Sequence, residues 1–330
     1  MVEVEKGLNF TAFDSMEDML DCYRQSLEAK NRSHKTINWY LDILKRYYTF
    51  LESSHLIKPI DELGKQELQS YIQHLKESPR WPNKPTTKKD ACKLSPYSIK
   101  GHVVAIKAFW GWLAEEGYVM HNPLVKFPVP KVPQCLIKTL TIEQIEKLVG
   151  AIDKSTASGI KYYCVIMILL DTGIRISELV STKMADLDLS HGLITVLGKG
   201  QKQRVVVFSK WTRKVILNYI NTSRPQLCSV ESVYLFPAID GSHISSNSVQ
   251  QYLKRLAQRA GLEGIRCSPH VFRHTFATQS IANEANVFAL KDIMGHSSLQ
   301  TTMKYVHLQV SDLKAQHSKF SPVAGLFQSK

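Results

Sequence analysis

Four prolines packed between residues 123 and 133 constrain this chain most: Pro123, Pro128, Pro130 and Pro133. Proline fixes φ and lacks an N–H, so this density breaks helix and strand alike. Residues 120–138 are therefore expected to be a linker, and the 330-residue chain is long enough to build a core on each side of it. The expected bounds are a first domain over 1–119, the linker, a second domain over 139–317 and a tail over 318–330.

Upstream of the break the pattern is helical. Ser33 and Thr36 suit the start of a helix reaching about residue 53, with Ile37, Tyr40, Leu41, Leu44, Tyr48 and Leu51 on one face. Lys35, Lys45 and Arg46 lie off that stripe. A second helix is expected over 65–77 and a third over 98–116, following Ser95. Val103, Ile106, Phe109, Trp110 and Leu113 share a face of the third, which leaves Lys100 and Lys107 outside it. Residues 79–93 hold Pro79, Pro82 and Pro85 with Arg80, Lys84, Lys88, Lys89 and Lys93, the composition of a solvated loop.

Downstream, Thr141 and Gln144 form a capping box ahead of Ile145 and Leu148. Residues 162–170 are apolar enough for a buried helix. Short β-branched runs over 192–197 and 204–208 flank Gly198-Lys199-Gly200 and predict a hairpin, the only clear β signal in the chain. Helices are expected again over 211–222, 248–259, 270–282 and 287–294.

Lys and Arg outnumber Asp and Glu by 42 to 29, a net charge of +13, and a folded protein this basic points to a polyanionic partner. No apolar run is long enough to span a bilayer, and the opening residues lack the basic-then-apolar order of a secretion signal, so a cytoplasmic location without membrane contact is expected. The six cysteines are scattered with no CxxC pair, which argues against a zinc ribbon or a disulfide scaffold and for reduced thiols.

The second half carries the chemistry. Phosphoryl transfer without a metal must neutralise charge on the non-bridging oxygens, and arginine offers a planar, permanently charged fork of donors for them. A tyrosine hydroxyl with a pKa of about 10 attacks phosphorus only if a base takes its proton, a task suited to histidine. The leaving oxygen needs an acid, and a lysine whose pKa is lowered by neighbouring cations can serve. Arg175, Arg273, His270, His296, Lys199 and Tyr305 supply this set.

These residues stand in boxes that resemble those of the tyrosine recombinases, or phage integrases, in their XerC/XerD-like branch. Arg175 lies in G-I-R-I-S-E-L, Lys199 in L-G-K-G-Q-K-Q-R, His270 and Arg273 in S-P-H-V-F-R-H-T-F-A-T, and His296 in M-G-H-S-S-L-Q-T-T, with Tyr305 nine residues later in K-Y-V-H. The match is close over about residues 140–307 and looser in the first half, where S-H-K-T-I-N-W-Y-L-D-I-L and Y-S-I-K-G-H-V-V-A-I-K-A-F-W-G-W-L resemble the first and last helices of the family's core-binding domain. The loop over 79–93 is longer than the family leads one to expect.

The resemblance implies a mainly α protein: an all-helical, SAM-like core-binding domain and a mostly helical catalytic domain with a small antiparallel sheet, together clamping duplex DNA at specific recombination sites. It implies that Tyr305 attacks the scissile phosphate to form a 3′-phosphotyrosyl bond, that Lys199 protonates the 5′-oxygen, that Arg175, Arg273 and His296 hold the phosphate, and that His270 accepts the tyrosine proton. Strand exchange would pass through a Holliday junction in a homo-tetramer, with no cofactor or metal, and with room for a partner recombinase or accessory protein. The tail after Ser318 would dock on a neighbouring subunit. Lys35, Lys45, Lys100, Lys107, Lys202, Arg204, Lys254 and Arg255 are candidate DNA contacts.

Blander readings compete at each position. Arg175 could merely pair Glu178, Lys199 could be a solvated hairpin tip with Lys202 as its rival, and Tyr305 is one of 13 tyrosines. His270 and His274 are four apart, a zinc spacing, but Arg273 between them would repel a cation, so His274 is assigned to helix packing. His307 is set aside. Three rival functions are a type IB topoisomerase, a catalytically silent DNA-binding relative, and a metal-dependent nuclease, the last lacking a carboxylate cluster.

Overall fold

A computed structural model describes residues 16–78, 93–132, 138–198, 203–228, 230–262, 264–265 and 267–306. The chain divides into two compact units, 1–135 and 136–330. The fold is mainly α with one small antiparallel sheet, as expected.

The first unit is built from α1 (Met16–Ala29), α2 (His34–Ser53), α3 (Lys65–Glu77) and α4 (Pro96–Glu115). Ser33 and Ser95 cap α2 and α4, their hydroxyls accepting from the backbone N–H of Thr36 and Ser98. Leu44, Leu68, Val103, Ile106, Phe109 and Leu113 are sealed in its core. Rings fill the middle: Tyr47 meets Tyr71 edge-on at 5.0 Å, and Tyr23 meets Phe109 at 5.2 Å. One buried polar pair crosses it, Tyr71 Oη to His102 Nδ1 at 2.9 Å, and burial pulls the His102 imidazole down to about 4.

Leu124 and Phe127 fall within the stretch read as linker, yet both are buried in this first core. Lys107 donates to the carbonyls of Val125 and Phe127. Prolines forbid regular structure there without forbidding burial, because side-chain and cap donors can satisfy an irregular backbone.

The second unit comprises α5 (Ile142–Gly150), α6 (Ala157–Thr172), α7 (Ile176–Ser181), strands β1 (Leu187–Asp188), β2 (Leu193–Leu197) and β3 (Gln203–Val207), then α8 (Lys210–Asn218), α9 (Ser246–Arg259), α10 (Pro269–Ala282), α11 (Val287–Met294) and α12 (Leu299–Val306). Helix α6 is apolar almost all round and sits inside the unit against α8 and α10. The sheet runs β1-β2-β3, with Leu193 opposite Val207 and Val196 opposite Arg204. Ile194, Val196 and Val206 turn inward; Leu197, Val205 and Val207 turn outward. The helix expected over 211–222 ends as α8 at Asn218 and loosens into one wider turn, Tyr219–Ser223. No helix of the described residues is long and apolar enough to cross a membrane.

Candidate active site

Three carbonyls at the end of α11 organise the site. The helix stops at Gly295, whose φ of +62° is left-handed, and the turn exposes the last carbonyl oxygens. Each accepts from a different arginine. Ile293 O accepts from Arg204 Nε at 3.2 Å, Met294 O from Arg273 Nη2 at 2.7 Å, and Gly295 O from Arg175 Nη2 at 2.8 Å. The negative end of the helix dipole favours this gathering of cations.

A second helix end does the same. Gly173, at φ +60°, closes α6, and its carbonyl accepts from Arg273 Nη1 at 2.6 Å. A Cβ on Gly173 would stand 2.4 Å from Phe276, so glycine is required there both for its conformation and for its size. Arg175 follows two residues later as the N-cap of α7.

Glu178 balances the charge. Its carboxylate is 4% exposed and accepts four hydrogen bonds: from Arg175 Nη1 at 2.8 Å and Arg204 Nη1 at 2.7 Å on Oε1, and from Arg204 Nη2 at 2.8 Å and the Arg175 backbone N–H at 3.0 Å on Oε2. Burial alone would raise its pKa, but the hydrogen bonds from Arg204 and Arg175 hold it below the ordinary carboxylate value. Burial, with the charge of Arg175 beside it, brings the Arg273 guanidinium down to about 10, still protonated at neutral pH. Arg175 keeps 33% of its side chain exposed, and Arg175 and Arg273 each have guanidinium N–H groups beyond those committed to carbonyls and Glu178. Such a pair can grip a tetrahedral anion.

His296 follows Gly295 directly. Its Nδ1 pairs with Thr302 Oγ1 on α12 at 2.8 Å, and its ring lies parallel to that of Tyr305 with centroids 6.4 Å apart. Burial and the charges of Arg273 and Arg175 hold His296 neutral, at about 4. Tyr305, on α12, is only 3% exposed and packs with Ala277, Leu290 and Met294. Burial raises its pKa, against the opposing pull of Arg273. Its hydroxyl meets His274 Nδ1 at 2.7 Å.

Arg175, Arg273, His296 and Tyr305 thus converge. His270 stands one turn before His274 on α10 with its side chain exposed. Lys199 and Lys202 lie outside the described residues. Among the candidate DNA contacts, Lys35, Lys45, Lys254 and Arg255 are exposed and Lys100 is half-buried. Arg204 and Lys107 need correcting. The Arg204 guanidinium is taken up by Glu178 and Ile293 O inside the site, and the Lys107 ammonium is drawn to two carbonyls of its own unit. His274 needs correcting as well, since it packs in its helix but also holds the tyrosine hydroxyl. The spacing of His274 from His270 put both on one helical face; nothing local shows that Tyr305, 31 positions away, returns to that face.

Comparison with known proteins bears on the family and the fold. The family model "Phage integrase family" matches residues 138–312, and "Phage integrase, N-terminal SAM-like domain" matches residues 19–117. Tyrosine recombinase XerD of Listeria innocua is 28% identical over 312 residues, covering 94% of this chain and all of that protein. Tyrosine recombinase XerD of Listeria monocytogenes is 32% identical over 232 residues, 70% of this chain and 78% of that one. Among solved structures, the Tn1549 transposon integrase with transposon right end DNA superposes with a TM-score of 0.71 at 22% identity, covering 92% of this chain and 99% of that one. XerH recombinase bound to difH superposes at 0.68 and 20%, covering 92% and 84%. These two likenesses bear on the fold.

Proposed function

Because this chain belongs to the phage integrase family of tyrosine recombinases, we propose that it cuts and rejoins duplex DNA at specific sites through a 3′-phosphotyrosyl bond on Tyr305. The topoisomerase alternative is not favoured, since both the catalytic and the N-terminal SAM-like patterns of the family are present. A DNA partner accords with the net charge of +13 and with structural neighbours that are recombinases bound to DNA.

The observation that carries the reading is the seating of two guanidiniums on successive carbonyls, Met294 and Gly295, immediately before a neutral His296 stacked on Tyr305. The scissile phosphate occupies the mouth of this cluster. Arg175 and Arg273 neutralise its non-bridging oxygens and His296 donates a further hydrogen bond. The tyrosine hydroxyl gives its proton to an imidazole of α10, a role the family resemblance gives to His270, and its oxygen bonds to phosphorus as the bond to the bridging 5′-oxygen breaks. Lys199, which falls between β2 and β3 in the sequence, protonates that oxygen. The 5′-hydroxyl of a second strand later reverses the step, so bond energy is conserved in the protein–DNA link.

The complete reaction runs in a homo-tetramer through a Holliday junction, in the cytoplasm, with a partner recombinase or accessory protein where a site demands one. Both halves of the chain contribute DNA contacts; the tail after Ser318, expected to dock on a neighbouring subunit, lies outside the described residues. Lys35, Lys45, Lys100, Lys202, Lys254 and Arg255 supply phosphate contacts.

The test is to incubate the protein with a nicked duplex library of randomised core sequence in EDTA, and to isolate DNA that survives denaturant on the protein. Attached DNA with a shared core sequence is expected. Absence of any adduct, or an adduct of random sequence, contradicts a site-specific recombinase.

A further inference from the structure

We propose that His274 is the base that takes the proton of Tyr305. The inference rests on the recombinase reading and gives a chemical role to a residue that sequence pattern alone places in helix packing.

Geometry comes first. His274 Nδ1 stands 2.7 Å from the phenolic oxygen, the distance of a formed hydrogen bond. The rings are tilted by 46° with centroids 5.7 Å apart, which brings the nitrogen to the oxygen rather than stacking the faces. The other imidazoles are differently placed: His296 lies parallel to the tyrosine ring with its Nδ1 paired to Thr302, and His270, to which the family resemblance gives this proton, stands one turn earlier on α10 with an exposed side chain. His274 directly follows Arg273 on α10, so the base is fixed to the helix that carries one of the phosphate-holding groups. Packing of Ala277, Leu290 and Met294 around Tyr305 limits the positions its hydroxyl can take.

Electrostatics says how the pair rests. Burial lowers the His274 pKa, and His270 and Arg273 lower it further; burial raises that of Tyr305. Both are therefore neutral when the site is empty, with Tyr305 O–H donating to an unprotonated Nδ1 and the ring proton on Nε2. The groups facing His274 are His270 and Arg273 on its own helix, Tyr305 on α12 and His296 in the turn before it. Arg273 beside it makes an imidazolium unfavourable in the empty site. A bound phosphate brings negative charge that offsets this. The proton then moves from the tyrosine oxygen to Nδ1 as that oxygen bonds to phosphorus and the 5′-oxygen departs. On rejoining, the imidazolium returns its proton to the phenolic oxygen. Proton transfer is thus tied to the presence of the anion.

The experiment measures single-turnover adduct formation on the selected nicked duplex for the wild type, His274→Asn and His274→Gln across pH. Asn can accept the hydrogen bond but cannot hold the proton. The expected deficit at neutral pH is about 100- to 10,000-fold with DNA affinity unchanged. Phenolate forms unaided about tenfold more per pH unit below the tyrosine pKa. The deficit should therefore narrow as pH rises, which a merely structural role would not produce. A deficit constant with pH, a wild-type rate, or a faster variant overturns the proposal. The ¹⁵N shift of His274 in the wild type adds a readout independent of the variants' folding: Nδ1 should be unprotonated at neutral pH, and a protonated Nδ1 also overturns it. If the wild type itself forms no adduct, the recombinase reading fails and the proton transfer falls with it; an active wild type with unaffected variants sinks the base assignment alone.

Discussion

Glu178 accepts from both terminal nitrogens of Arg204 and from one guanidinium nitrogen and the backbone N–H of Arg175 while almost fully buried. A carboxylate in that position is the counter-charge for the whole arginine group. Removing it leaves buried guanidiniums uncompensated, so Glu178→Ala should cost about 3–5 kcal/mol in urea denaturation of the full chain. A loss under about 1 kcal/mol, the range of exposed ion pairs, would mean the arginines are solvated and not gathered. The pairing of Arg175 with Glu178 was legible, because three helical positions separate them. The part played by Arg204 was not: it depends on a strand register that sets it opposite Val196, and on Glu178, 26 residues earlier, folding beneath it. His274 was hidden for the same reason, since residue type and spacing do not show which tertiary partner a helical face will meet.

At the scale of elements, α11 and its left-handed cap position all three arginines. A Cβ on Gly295 would lie 2.8 Å from Arg204 Nε and would force an unfavourable φ. Gly295→Ala should therefore destabilise by about 1–3 kcal/mol and slow adduct formation. Gly150→Ala, at a glycine with nothing within 4 Å, is the control and should be neutral or slightly stabilising. Equal thermal midpoints for the two variants would contradict the role given to the cap. Helices announced by caps were legible: Ser33, Ser95 and Thr141 all accept the expected backbone N–H. The hairpin strands fell within a residue of their expected ends. Helix α12 was not expected, although Ser298 caps it, its hydroxyl accepting from the Gln300 N–H at 3.2 Å. It has eight residues and two adjacent threonines, and owes its form to Thr302 and Tyr305 packing inward, a tertiary effect that propensity does not carry.

The whole molecule carries +13, and counterion release makes any DNA affinity salt-dependent. Replacing Lys35, Lys45 and Lys100 together with Gln should flatten the slope of log K against log salt by about 0.9 for each phosphate that is no longer neutralised. Lys107→Gln should leave the slope nearly unchanged and lower stability instead, because its ammonium serves Val125 and Phe127. The reverse pattern, read by fluorescence anisotropy, would refute this division of the lysines. Family and fold class were legible because boxes spread over 130 positions, from Arg175 to Tyr305, agree in order and spacing. What spacing left out was how arginines from α7, β3 and α10 meet at one helix end.

The central claim is that Tyr305 bonds to phosphorus. Tryptic mapping of the wild-type adduct by mass spectrometry tests it directly. A nucleotide mass on the peptide containing Tyr305, and no adduct from Tyr305→Phe, is the predicted result. A nucleotide on any other residue, or an undiminished adduct from the phenylalanine variant, contradicts it.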